Sequence, residues 1–145
     1  MTPIPVPLSL NQARALIDAA IASARSNGFR PMGIVVIDHA TQVIAMARED
    51  GASELRLDIA LGKAAAAVGM GTNSRGLVQR AKDFPAFFET IAAASRQKFI
   101  PQVGAVLILD ASGNLLGAAG ASGGTGDEDE QIVREAIVAI GLKHA

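Results

Sequence analysis

Four groups of residues in this 145-residue chain have the types and spacing to do chemistry. The densest is Gly120-Ala121-Ser122-Gly123-Gly124-Thr125-Gly126, which leads into Asp127-Glu128-Asp129-Glu130 and a helical pattern from Glu130 to Lys143. Glycine-rich backbone at a helix N-terminus leaves N–H groups free for an anion or a carboxylate, so Ser122, Gly123 and Gly124 are candidate ligand-binding residues. The second group, Arg48-Glu49-Asp50-Gly51-Ala52, sets three charges at the exit of an apolar strand. The third is Lys63, in the run Leu61-Gly62-Lys63-Ala64-Ala65-Ala66-Ala67, where no acidic residue at i±3 or i±4 can pair with it. A lysine on such a face either snorkels to water or meets a carboxylate from elsewhere, and Glu49, Asp50 or a bound anion are the expected partners. Glu49, Asp50 and Lys63 are therefore the candidate catalytic set, a carboxylate as general base and a cation to stabilise developing negative charge.

The fourth group is the acidic run itself. It reads as a solvated first turn complementing the helix dipole, with a weak all-oxygen divalent or ferric-ion site on Asp127 and Glu130 as the sharper alternative. Arg48 of the second group, together with Arg56 and Asn73, completes the candidate ligand-binding set. Two tempting motifs fail on context. Gly120-x-Ser122-x-Gly124 matches a nucleophile elbow, but the histidines, His39 in a turn and His144 near the C-terminus, have no evident route to Ser122. Gly69-Met70-Gly71-Thr72-Asn73-Ser74-Arg75-Gly76 ends a helix where a dinucleotide fingerprint begins one. Met32, Met46 and Met70 read as core, with soft axial ligation of a haem iron as their functional alternative.

The elements that position these groups follow from periodicity. Ser9 and Gln12 form a capping box, and Ala13, Leu16, Ile17, Ala20, Ile21 and Ala24 make one apolar stripe of a helix ending near Asn27-Gly28. Strands are predicted at Gly33–Ile37 and Val43–Ala47, and again at Gly104–Leu109 and Leu115–Ala119, each pair joined by a polar turn. Between the hairpins lie a helix from Ser53 or Glu54 to about Met70, a break at Gly71–Gly76, and shorter helices over Leu77–Arg80 and Phe84–Ser95. The two hairpins resemble each other, and their nearly all-apolar strands predict one antiparallel sheet covered by helices, an α/β or α+β fold in one domain over 1–145.

Composition excludes several classes. Half the residues are apolar, yet Tyr and Trp are absent and Phe occurs five times, so the core is aliphatic. A net charge of −1 with interspersed signs, and few aromatic rings to stack bases, argue against nucleic acid as a partner. Without cysteine there is no disulfide framework, thiolate nucleophile or thiolate metal ligand. No apolar run approaches a membrane span and no leader pattern precedes the first helix, so the expected location is cytoplasmic, with no membrane partner.

Taken together, Leu8-Ser9-Leu10, Val35-Val36-Ile37-Asp38, Asp50-Gly51-Ala52, Asp58-Ile59-Ala60, Lys63-Ala64 and Gly117-Ala118-Ala119-Gly120-Ala121-Ser122-Gly123-Gly124 with the acidic run after it, in this order, make the chain resemble the GlcG/HbpS family. The related C-terminal domain of PduO-type proteins is fused to corrinoid adenosyltransferases. The resemblance covers nearly the whole chain. It implies a profilin-like layered fold, a homo-oligomer, and haem or a small carboxylate as ligand, held in a pocket formed by the Asp-Gly-Ala turn, the Lys63 helix and the Ser-Gly-Gly loop. The alternative it leaves is an enzyme of small-acid catabolism, an isomerase, lyase or hydrolase. Relatives usually carry Gly-Gly-Val-Pro or Gly-Gly-Ile-Pro where this chain has Lys98-Phe99-Ile100-Pro101, and Met where it has Glu49. Both departures shift the expectation toward a small polar or anionic ligand.

Overall fold

The structure, a computed structural model, describes residues 1–96 and 98–145. Helix α1, Leu10–Ser26, starts at the Ser9–Gln12 capping box and presents Ala13, Leu16, Ile17, Ala20 and Ala24 to the core. Strands β1 (Gly33–Asp38) and β2 (Val43–Arg48) form the first hairpin. Its turn is shaped by the Asp38 carboxylate, which accepts from the backbone N–H groups of Ala40 and Gln42. The second hairpin, β3 (Ala105–Leu109) and β4 (Leu115–Ser122), repeats the device: Asp110 accepts from the N–H groups of Ser112 and Asn114. These turns hold their shape because an Asp side chain supplies the acceptor that the backbone lacks.

Helix α2, Arg56–Met70, is closed by Gly71 in the left-handed region (φ 67°). A one-turn 3-10 helix, Ser74–Leu77, then leads into α3 (Val78–Asp83) and α4 (Pro85–Ala94). The expected break at Gly71–Gly76 is therefore partly helical, and α3 runs on to Asp83 rather than stopping at Arg80. Helix α5, Gly126–Ala139, begins four residues before Glu130 because the Thr125–Glu128 capping box is formed on both sides. It also ends before Lys143, and Lys143–His144 form a short strand, β5, on β3.

All neighbours in the five-stranded sheet, ordered β2-β1-β4-β3-β5, are antiparallel, and the two hairpins meet through β1 and β4. Side chains alternate between the faces. Ile34, Val36, Val106, Ile108, Ala119 and Ala121 join the cluster of α1 and α5. Val35, Ile37, Ala105, Leu107 and Ala118 face α2. An α+β sheet covered on both faces is thus what the sequence predicts. Strand β2 departs from the expectation: it is an edge strand, only partly covered, and Met46 is exposed rather than core. Each fully buried Ile, Leu or Val contributes about 1.5–3 kcal/mol of apolar burial.

Close approach of α2 depends on small residues. A Cβ on Gly120 of β4 would lie 2.4 Å from the Ala60 carbonyl oxygen, and one on Gly33 of β1 would lie 2.8 Å from the Arg56 Cβ. Side chains leaving α2 toward β4 therefore start close to the strand's backbone, which is what brings the cations of this helix to the sheet.

Candidate functional site

Arg56, Ile59 and Lys63 stand at i, i+3 and i+7 on one face of α2 and line a cleft of about 520 Å³. Its other walls are the Ile100–Val103 segment, Ser122 at the end of β4, and the first turn of α5. Although Arg56 and Lys63 are roughly 10 Å apart along the helix axis, their heads converge on consecutive residues of β4. Arg56 Nη1 donates to Ser122 Oγ at 3.2 Å, and Lys63 Nζ donates to the Ala121 carbonyl at 3.1 Å. Ser122 reaches this position because β4 continues three residues past Ala119, where the sequence pattern ends it.

The partner of Lys63 is Asp129, at 3.0 Å, with both side chains almost fully buried. The second Asp129 oxygen accepts the Gly124 N–H at 2.9 Å, which ties the Ser-Gly-Gly loop to α5. Burial pushes the Asp129 carboxyl above the usual aspartate range, opposed in part by Lys63, the Gly124 N–H and the charge on Arg56. Gly104 makes room for the ammonium: a Cβ there would sit 2.7 Å from Lys63 Nζ. The far wall is held to α2 at Gly62, whose carbonyl accepts the Ile100 N–H at 3.0 Å and where a Cβ would meet Ile100 Cγ1 at 2.6 Å.

At the mouth of the cleft Arg75, from the 3-10 helix, pairs with Asp127 and with Glu130, the latter at 3.1 Å. These carboxylates raise the Arg75 guanidinium further above its ordinary value. Glu130 is buried and also meets Arg134 at 3.0 Å, one turn along α5. Asp127 and Glu130 thus converge on the Arg75 guanidinium, and no group of three or more His, Cys, Asp or Glu able to hold a metal occurs among the described residues.

The candidate catalytic set does not assemble. Glu49 Oε1 pairs with Arg25 at 3.0 Å, and its Oε2 accepts the Met32 N–H at 2.7 Å. Glu49 and Asp50 line a separate shallow pocket with Arg25, Pro31 and Arg48, so the Asp-Gly-Ala turn is not a wall of the Lys63 cleft. Arg48 donates to the Ala52 carbonyl across that turn. Asn73 is a pin: its Oδ1 accepts the Leu107 N–H and its Nδ2 donates to the Ala145 carbonyl, each at 2.9 Å. Gly123 is not in the lining; it lets β4 pass Pro31, whose carbonyl oxygen would lie 2.3 Å from an added Cβ. Sequence reasoning missed Asp129 as the ion-pair partner and Arg75 as a lining residue. The capping box, by fixing the phase of α5, carries the signal for Asp129.

Fold and cleft define a small antiparallel α+β protein with a cationic groove between a sheet-packed helix and a capped helix start. A family model described as haem degrading protein HbpS-like matches residues 8–138, and the chain belongs to this family. Among solved structures it is similar to a PduOC–haem complex, at 25% identity and a TM-score of 0.82 over 94% of this chain and 96% of that one. It is likewise similar to a double mutant of Streptomyces reticuli HbpS, at 25% identity and a TM-score of 0.80, covering 97% and 91% of the two chains. Klebsiella pneumoniae protein ORFY shares the fold at 20% identity, with a TM-score of 0.83 over 99% and 97%. No curated protein matches the sequence. No helix among the described residues is long and apolar enough to cross a membrane.

Proposed function

We propose that this chain is a ligand-binding protein that receives a carboxylate-bearing small molecule, haem or a small organic acid, in the cleft between α2 and α5. The observation that carries this reading is the convergence of Arg56 and Lys63 on Ser122 and Ala121 at the floor of the cleft. Two cations fixed by one rigid helix against a strand end favour a carboxylate, and the lining is otherwise polar except for Ile59, Ile100 and Val103. Family membership and the haem in the PduOC complex support a tetrapyrrole as the first candidate.

The cleft fits the periphery of a haem better than its iron. Its cations suit a propionate, but no His, Cys, Met or Tyr is among the lining residues to serve as an axial ligand. That donor set favours the second candidate, a small organic acid. An enzyme that uses Glu49 or Asp50 together with Lys63 has no such support, because the carboxylates and the ammonium line different pockets. The reading includes a homo-oligomer in the cytoplasm. Exposed Val43 and Met46 on the edge strand β2 are apolar surface that a second copy would cover, and light scattering after size exclusion tests this.

A hemin titration followed at the Soret band tests the ligand class. A saturable, stoichiometric shift supports haem. A featureless, non-saturating response assigns the cleft to small acids, which calorimetry with a panel of them then detects. A protein that takes up neither overturns the proposal.

A further inference from the structure

If the cleft is a carboxylate site, as proposed above, its charges show which cation does the holding. Arg56, Lys63 and Arg75 line it together with Asp127 and Asp129, three positive charges against two negative. Lys63 is neutralised by Asp129, and Arg75 by Asp127 with help from Glu130. Arg56 has no ion-pair partner among the described residues. Its one side-chain hydrogen bond is to Ser122 Oγ, so four of the five N–H donors of a guanidinium stay available. Ser122 accepts that bond and keeps its own O–H to donate. Lys63 spends two of its three N–H groups on Asp129 and Ala121, leaving one.

We infer that the Arg56 guanidinium is the carboxylate anchor of the cleft, with Ser122 Oγ–H and the spare Lys63 N–H as neighbouring donors, and that the cleft takes one carboxylate rather than two. A second carboxylate has no free cation to meet. Its remaining charged neighbours are Asp127, Asp129 and an Arg75 already shared by two carboxylates. Like-charge repulsion then sets a preference for monoacids over diacids.

The test uses three matched probes on isotopically labelled protein, read by NMR: succinate monomethyl ester, succinate and dimethyl succinate. The monoester is expected to shift the Arg56 Nε–H and the Ser122 amide saturably, succinate to bind more weakly, and the diester to leave both unmoved. Arg56→Gln should raise the monoester Kd roughly tenfold or more, with the amide spectrum away from the cleft unchanged. Arg56→Lys, which keeps the charge and loses the fork, should fall between the two. Ser122→Ala removes only a hydroxyl and provides a second variant, with a loss of about several-fold expected. Succinate binding more tightly than its monoester would overturn the one-carboxylate assignment. Saturable shifts at Lys63 and Thr125 that survive Arg56→Gln would overturn the anchor and leave the cleft reading standing. No shift at any cleft residue with any acid overturns both.

Discussion

Two acidic segments, Glu49-Asp50 and Asp127 to Glu130, have opposite fates in this protein. The first stands beside a glycine turn and resembles a catalytic pair, yet Glu49 is spent on Arg25 and the Met32 N–H. The second resembles a solvated helix start, yet Asp129 and Glu130 are buried and bind two of the three cations that face the cleft, Lys63 and Arg75. The difference lies in helical phase. A turn offers its carboxylates to whatever is local, whereas the first turns of a helix point successive side chains around the axis, so neighbours in sequence face different surroundings. Asp127 has an 80% exposed side chain while that of Asp129, two positions on, is 2% exposed.

The contrast breaks most sharply at its buried end. Lys63→Met strands the Asp129 carboxylate, and urea unfolding at neutral pH should show a loss of about 3–5 kcal/mol. Lys63→Met combined with Asp129→Leu should recover part of it, since the uncompensated charge is gone while the Gly124 N–H loses its acceptor. A single-variant loss no larger than that of a surface pair would show that Lys63 is not needed to neutralise Asp129. Next in size, Glu130→Gln removes the charge that Arg75 and Arg134 share, at about 1–3 kcal/mol in the same assay. Glu49→Gln keeps an acceptor for the Met32 N–H and loses a half-exposed pair with Arg25, so about 1 kcal/mol or less is expected.

A pH series separates the two segments without removing a cation. Because Asp129 is raised above its ordinary value, in the window between the two values the folded state holds a proton that the unfolded chain has released. Its contribution to stability is complete below the ordinary aspartate value and is lost as pH rises through the raised one. The stability difference between the wild type and Asp129→Asn should therefore fall with rising pH across that acidic window. A difference that rises instead would mean that Lys63 outweighs burial. Smallest of all, Asp127→Asn at the exposed end should stay within about 0.5 kcal/mol of wild type.

Local signals carried the fold into the sequence. Both capping boxes, Ser9 with Gln12 and Thr125 with Glu128, are readable because cap and partner are three residues apart, and both form. The hairpins are readable because each Asp-led turn closes on itself. Strand β5 is not, since Lys143 and His144 become a strand only by pairing with Leu109 and Ile108, more than thirty residues away. At the site, Arg56, Lys63, Ser122 and Gly124 are placed together as the sequence reading expects, while Asp129 escapes it. A helix started at Glu130 leaves Asp129 outside the helix, and its partnership with Lys63 spans sixty-six residues. Arg75 escapes for another reason: it lies in a glycine-rich stretch that resembles a failed nucleotide motif and is in fact a one-turn helix at the mouth of the cleft.

The Ile100–Val103 wall touches α2 through the Ile100 N–H on the Gly62 carbonyl, and it contributes none of the cations. Seat and cover are therefore separable parts. A change at Ile100, Gln102 or Val103 alters the size and greasiness of the cleft while leaving in place Arg56 and Lys63, carried by α2, and Asp129, carried by α5. Rewriting this short connector would reshape the walls of the cleft and leave its charged floor in place.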